Sequence, residues 1–438
     1  MNVSRISIVG LGKLGLCIAT VLAHRGYKVI GVDIDDKKVE EINKGRSPIY
    51  EPKLDRLLRM NRKRLRAVTD YGEAISNTGV TFVVVPTPSD PDGSFSSKYV
   101  VEAMSEIGKV LSTKRNYHLV ALNSTVMPGS MDTIVRPTLE EYSGRRTGKN
   151  LGLCYNPEFI ALGDVINGLL RPDFVLIGES DERAGNLLSS IYKKVCTNNP
   201  PIERTNFINA EIAKIAINSF ITMKITFANT LAEICERVPK ANVDEVTRIL
   251  GKDSRIGPRY LRGGLGYGGP CFPRDNIAFV RFAESIGGQA ELAMTTHRVN
   301  TVQPERIVRM IEEVTKSNNK KIGILGLSYK PNTPVIDESQ SLHLAMELRR
   351  KGYEVHVYDP LALENAKNVL KDSVVYERSK EECVRNCDII VIATPWTEFK
   401  TINGKGKVIV DCWRILDKNS VAKGSVTYIP LGVNEADR

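Results

Sequence analysis

Cys271 stands in a stretch dense in glycine and basic residues, Arg255-Ile256-Gly257-Pro258-Arg259-Tyr260-Leu261-Arg262-Gly263-Gly264-Leu265-Gly266-Tyr267-Gly268-Gly269-Pro270-Cys271-Phe272-Pro273-Arg274-Asp275. Such a composition is poor core material. Glycines there let backbone amides close on a ligand, Arg274 favours a thiolate, and Asp275 is a carboxylate within a few residues of the sulfur, so the expectation is a nucleophilic thiol. The plain alternative is a buried small hydrophobe. Upstream, Lys214 and Asn218 sit at i and i+4 among Ile212, Ala213, Ile215, Ala216 and Ile217, which places both on one face of a helix. A cation and an amide on a largely apolar stretch suit the oxyanion of a tetrahedral intermediate; the alternative is a lysine whose tip reaches solvent. Near the start, Gly10, Gly12 and Gly15 complete G-x-G-x-x-G around Lys13 and Leu14, and Asp33 ends the following strand. The glycines permit a tight turn and close approach to a pyrophosphate at a helix N-terminus, and the acid accepts from ribose hydroxyls. Asp33 argues for NAD over NADP, a preference that nearby Lys38 softens.

These groups need a scaffold, and the hydrophobic pattern describes one. Residues 5–33 read strand, glycine turn, helix, strand; buried-strand runs follow at Thr81–Val85, His118–Leu122 and Phe174–Ile177, each after a helix-like stretch, as a doubly wound parallel sheet requires. From about 206 to 300 long helices take over, beginning with Asn209–Leu231. Alternation resumes at Lys321–Leu327, with a helix from about Ser339 to Lys351, a strand at Glu354–Tyr358 and further strands at Asp388–Ala393 and Lys407–Val410. The expected fold is α/β: two Rossmann-like doubly wound parallel-sheet domains, 1–205 and 301–438, joined by a central helical domain, 206–300. Two such domains imply a cleft between them.

Composition narrows the class further. With 438 residues, 42% hydrophobic and 26% charged, the chain has room for two or three domains, and no apolar run approaches the roughly 20 residues that span a bilayer. No export signal is visible at the N-terminus, and eight scattered cysteines lack the spacing of a disulfide framework, so a cytoplasmic, reducing location is expected. Cys383 and Cys387 stand one helical turn apart without a matching His/Cys pair, which reads as small buried hydrophobes and no metal site. The charge of +10 peaks at Arg59, Arg62, Lys63, Arg64 and Arg66. No aromatics interleave this cluster, so a solvated helix end is expected and no nucleic-acid partner. A basic surface also steers a polyanionic cofactor and a diphosphate substrate inward.

Taken together, G-x-G-x-x-G, Pro48-Ile49-Tyr50-Glu51-Pro52, Thr87-Pro88, Ser124-Thr125-Val126, Asn156-Pro157-Glu158-Phe159, Lys214/Asn218, Asp253-Ser254-Arg255-Ile256-Gly257, Gly268 to Asp275 and Gly326-Leu327-Ser328-Tyr329-Lys330 resemble the UDP-glucose/GDP-mannose dehydrogenase family nearly end to end. The resemblance implies a four-electron oxidation of a nucleotide sugar by NAD through a cysteine thiohemiacetal and thioester. By position it makes Cys271 the nucleophile, Lys214 and Asn218 the oxyanion stabilisers, Asp275 a proton-handling carboxylate, and Thr125 with Glu158 the groups that place water. It implies cofactor contacts from the glycine turn, Asp33, Lys38, Thr87, Pro88, Thr125 and Arg274. Substrate contacts would come from Glu158, Phe159, Lys214, Asn218, Arg255 reaching a neighbouring subunit, the loop from Tyr260 and Leu261 through Tyr267 and Gly268, and Lys330. A homodimer or higher oligomer joined through the middle helices follows from the same resemblance.

Three positions depart from the family pattern. Leu162 replaces a second glutamate, Asp337 stands in the stretch where a cofactor-directed arginine is usual, and Trp413 replaces an arginine that usually meets the substrate diphosphate. Pro270 and the Cys-Phe-Pro string lean toward a glucose-type substrate, UDP-glucose; a UDP-N-acetylhexosamine or GDP-mannose is the alternative. Remoter readings are a single-step hydroxyacid dehydrogenase, which needs no thiol, and a non-catalytic NAD-responsive regulator.

Overall fold

The computed structural model describes residues 3–315, 320–416 and 426–434. They form two compact units, 1–216 and 217–438. In the first, strands β1 (Arg5–Val9), β2 (Lys28–Val32), β3 (Leu65–Val68), β4 (Val80–Val83), β5 (His118–Leu122), β6 (Leu151–Tyr155), β7 (Val175–Glu179) and β8 (Ile202–Thr205) make one sheet ordered β3-β2-β1-β4-β5-β6-β7-β8. The runs are apolar on both faces because helices cover both. Ile6, Ile8, Leu119 and Ala121 enter the core on one side of the sheet, while Val9, Val120 and Leu122 enter the other, as the two-residue strand period demands.

The sheet is not wholly parallel, which corrects the expectation for its far end. β6 and β7 pair antiparallel, Cys154 opposite Glu179 and Tyr155 opposite Gly178. The intervening chain carries only the short helix Val165–Leu170 and brings β7 back beside β6 in the opposite sense. The polar cluster from Arg59 to Arg66 is exposed at the end of the helix Leu54–Asn61 and the start of β3.

The 31-residue helix Phe207–Arg237 carries both Lys214 and Asn218 and is longer at each end than its apolar periodicity suggests. In the second unit, helices Val243–Leu250, Phe272–Ser285, Glu291–Thr301 and Gln303–Thr315 precede a parallel sheet. Its strands are β9 (Lys321–Leu325), β10 (Glu354–Tyr358), β11 (Val375–Tyr376), β12 (Ile389–Ile392), β13 (Val408–Asp411) and β14 (Thr427–Pro430), in the order β11-β10-β9-β12-β13-β14. Both sheets therefore reverse strand order beside their first strand, the position where α/β folds of this kind bind ligands. Cys383 and Cys387 are buried in an apolar cluster beneath this second sheet.

Candidate active site

The glycine turn after β1 is built for close approach. Gly10 has φ +89, and a Cβ there would lie 2.3 Å from the Val84 carbonyl oxygen; one on Gly15 would lie 1.9 Å from the Gly10 oxygen. Gly12 has open space beside it. The helix Lys13–His24 starts there with no side-chain cap and no acid in its first turn, so its first amides are left for an external anion. Lys13 is exposed beside it and Leu14 is half-buried. Asp33 is buried; its carboxylate accepts from the Leu11 amide at 2.9 Å and the Asp35 amide at 3.1 Å, and Lys38 lies 3.6 Å away. An ionised carboxylate offers about four acceptor sites, so capacity remains for ribose hydroxyls. Thr87, buried, and Pro88, exposed, follow β4. The orphan amides, the cradle without side chains and the oriented acid fit a dinucleotide.

A second polar group forms beyond β5 and β6 of the same unit. Thr125 is half-buried next to Ser124, whose hydroxyl accepts from the Val85 amide and donates to the Val85 carbonyl. Glu158 accepts a hydrogen bond from the Tyr192 hydroxyl at 2.9 Å. Burial pushes its carboxyl up to about 7, against the lowering effect of the Tyr192 bond and the Lys214 charge. The Lys214 ammonium donates to the Glu158 carbonyl at 2.9 Å and lies 4.9 Å from the centre of the Phe159 ring, which packs on Phe174. Lys214 is 6% exposed, so it does not reach solvent, and its charge stays among the groups that follow β6.

The thiol belongs to the second unit. Of eight cysteines, Cys271 is exposed and the other seven are buried. It caps the helix Phe272–Ser285, accepting the Asp275 amide on its carbonyl at 2.8 Å, and a helix N-terminus is an environment that favours an anion. Asp275 is 1% exposed; one carboxylate oxygen accepts from the Asn218 side-chain amide at 2.6 Å, and the other lies 3.6 Å from Arg274. Asn218 and Asp275 are thus direct partners, a pairing that 57 residues of separation hid from the sequence.

The glycine-rich loop corrects the expectation drawn from its composition. Leu261, residues 263–265 and residues 267–269 are buried, because a backbone without side chains packs where a side chain would not fit. A Cβ on Gly264 would meet the Trp413 ring at 2.8 Å, and one on Gly268 the Glu338 carbonyl oxygen at 2.2 Å. Tyr267 is fixed on both sides of its backbone by the Asn300 amide, at 2.8 and 2.9 Å. Tyr260 remains exposed. Arg255 projects from the surface, paired with Asp253 at 2.6 Å, and Lys330 is half-buried beside the Tyr329 ring.

The departures also have structural accounts. Leu162 packs against the core of the first unit. The Asp337 carbonyl accepts the Gly269 amide. Trp413 donates its indole N–H to the Ala393 carbonyl at 2.8 Å. The next residue, Arg414, is committed internally, to Asp244 at 2.7 Å and to the carbonyls of Leu431 and Gly263. Asn156 and Tyr192 around Glu158 carried no role in the sequence reading. Asn156 at least stood in a noticed string; nothing in the helix Glu182–Val195 singled out Tyr192.

Three successive profiles of the UDP-glucose/GDP-mannose dehydrogenase family match the chain: the NAD binding domain over residues 4–196, the central domain over 208–302 and the UDP binding domain over 323–418. A UDP-glucose 6-dehydrogenase of Haloferax volcanii is 37% identical over 421 residues, covering 94% of this chain and 97% of that one. Among solved structures, a UDP-glucose dehydrogenase of Pyrobaculum islandicum superposes with a TM-score of 0.90 at 34% identity, covering 98% of both chains. The UDP-D-ManNAc dehydrogenase of Pyrococcus horikoshii does so with 0.83 at 27%, covering 98% of this chain and 99% of that one.

Proposed function

This chain belongs to the UDP-glucose/GDP-mannose dehydrogenase family and is an NAD-dependent nucleotide-sugar dehydrogenase, and from that premise we propose that it oxidises the C6 alcohol of UDP-glucose to the carboxylate of UDP-glucuronate. NAD held at the glycine turn, Asp33, Lys38, Thr87, Pro88, Thr125 and Arg274 supplies the hydride acceptor, twice for each sugar. The first oxidation leaves an aldehyde and a proton. The Cys271 thiolate adds to that carbonyl, and Lys214 and Asn218, i and i+4 on one helix, stabilise the resulting oxyanion. Oxidation of the thiohemiacetal gives a thioester. Water placed by Thr125 and Glu158 cleaves the C–S bond, returning the thiolate and the free acid, with Asp275 handling protons. Phe159, Arg255, Tyr260, Leu261, Tyr267, Gly268 and Lys330 contact the sugar nucleotide in this reading.

The observation that carries it is the exposure of a single thiol, Cys271, at a helix N-terminus with Arg274 and Asp275 in the first turn. The substrate choice rests on Pro270 and on relatives that carry the UDP-glucose name. The test is to incubate pure enzyme with UDP-glucose, UDP-N-acetylhexosamines and GDP-mannose and identify the acids formed. UDP-glucuronate as the fastest product is expected; a faster N-acetylhexosaminuronate or mannuronate would move the substrate assignment.

The division into 1–205, 206–300 and 301–438, and assembly as a homodimer through the middle helices, belong to the same proposal. Phe220, Phe227 and Ile234 are exposed at intervals of seven on the helix Phe207–Arg237, the spacing of a helix-to-helix seam. No helix among the described residues is long and apolar enough to cross a membrane; a cytoplasmic location belongs to the same proposal.

A further inference from the structure

Beneath Glu158 lies a buried chain of polar groups that the reaction scheme above does not use. The Asn156 side-chain amide donates to the Leu176 carbonyl at 2.9 Å, which fixes its orientation and turns its oxygen toward Tyr192. The Tyr192 hydroxyl lies 2.5 Å from that oxygen and 2.9 Å from Glu158 Oε1. Asn123 approaches the same Asn156 side chain at 3.3 Å and its carbonyl at 2.7 Å. The phenol ring is held among Ile18, Leu22, Phe82 and Val195 around a cavity of about 20 Å³. The phenol has one proton and two acceptors, and the Asn156 oxygen cannot donate.

With Glu158 ionised, the phenol proton is drawn to the carboxylate, the stronger, charge-assisted acceptor. With Glu158 protonated, the carboxyl O–H donates to the phenol oxygen, and the phenol proton turns to Asn156. The Asn156 oxygen also takes the Asn123 side-chain amide at 3.3 Å, so it keeps a donor when the phenol proton is turned to the carboxylate. We propose that Tyr192 is a positioning residue for Glu158: its hydroxyl holds the carboxyl through a hydrogen bond whose direction reverses with the carboxyl's proton, Asn156 serving as the alternate acceptor. This rests on the reading of Glu158 as a water-placing group. Among the described residues, the other charged or titratable groups acting on this pair are Lys214 on the helix Phe207–Arg237 and Cys196 after the helix Glu182–Val195; Arg25 acts on Cys196.

The charge-assisted bond favours the ionised carboxyl, so removing the hydroxyl raises the pH at which Glu158 ionises. The experiment is an infrared pH titration of the full-length enzyme, with the Glu158 carboxylic-acid C=O band identified as the one missing from Glu158→Gln. Tyr192→Phe keeps the ring in its apolar seat and should move the midpoint up by at least about half a pH unit; 3-fluorotyrosine at 192, a stronger donor, should move it down. An unmoved midpoint in Tyr192→Phe overturns the proposal, and should that variant not fold, an unmoved or raised midpoint with 3-fluorotyrosine does so. The acid limb of the kcat profile, measured alongside, should follow the infrared midpoint. A midpoint that moves while the limb stays put upholds the Tyr192 hold and removes Glu158 from the rate-limiting chemistry, which separates the two readings.

Discussion

Glu158 carries the most readable electrostatics in the chain. In its proposed role of placing water, Glu158 serves as an ionised acceptor, and this carboxyl is pushed up to about 7 chiefly by burial, so kcat should climb about tenfold per pH unit below neutrality and level off above it. Steady-state rates across pH 5 to 9 check this, and a flat profile would remove Glu158 from the water-placing role. The same shift acts on stability. A buried acid with a raised folded value keeps its proton where the unfolded chain, near 4.5, has lost it; that contribution is complete below the unfolded value and disappears as pH rises through about 7. Glu158→Gln should therefore gain in melting temperature relative to wild type between pH 5 and pH 8, measured by thermal denaturation; a constant difference contradicts it. Asn218 invites a different test. Its amide is the hydrogen-bond donor found for the nearly inaccessible Asp275 carboxylate and is assigned to the oxyanion, so Asn218→Ala should lower kcat on the order of 10²-fold while NAD affinity, measured by titration, stays unchanged.

At the level of elements, the two sheets repeat one device with different outcomes. Gly10 leads from β1 into a turn whose Leu11 amide is held by Asp33 at the end of β2; Gly326 leads from β9 into a turn whose Leu327 amide is held by Asp359 after β10. Asp359 also takes the Ser328 amide and hydroxyl, the Leu361 and Ala362 amides and the Trp396 indole, which exceeds the acceptor capacity of one carboxylate and leaves nothing for a ribose. Only the first turn suits a dinucleotide. Gly15→Ala, whose Cβ would sit 1.9 Å from the Gly10 oxygen, should weaken NAD binding at least about tenfold by calorimetry and spare binding of the sugar nucleotide. The glycine spacing and the strand alternation made this part legible in the sequence, because turn and period are local properties. The antiparallel pairing of β7 with β6 was not legible, since strand direction is set by what the connection packs against. Nor was the burial of the loop before Cys271, whose glycines make room for Trp413 and Glu338, distant in sequence.

For the molecule as a whole, assembly should depend on the seam of Phe220, Phe227 and Ile234, each at least half exposed in one chain. A charge in the middle of an apolar helix interface is costly, so Phe227→Glu should shift the sedimentation profile from dimer toward monomer; an unchanged profile would place the interface elsewhere. The residues proposed as catalytic are distributed over both compact units, Glu158 and Lys214 in the first, Asn218, Cys271 and Asp275 in the second. Residue type and local spacing singled out Lys214, Asn218, Cys271 and Asp275, and the family resemblance singled out Glu158, whereas the contacts of Tyr192 with Glu158 and of Asn218 with Asp275 emerge from long-range packing. In the proposed scheme one thiol, Cys271, carries the sugar through two successive oxidations before water releases it. The most direct measurement is the number of NADH formed per nucleotide sugar consumed to completion: two are predicted, and a ratio of one would contradict the thioester route.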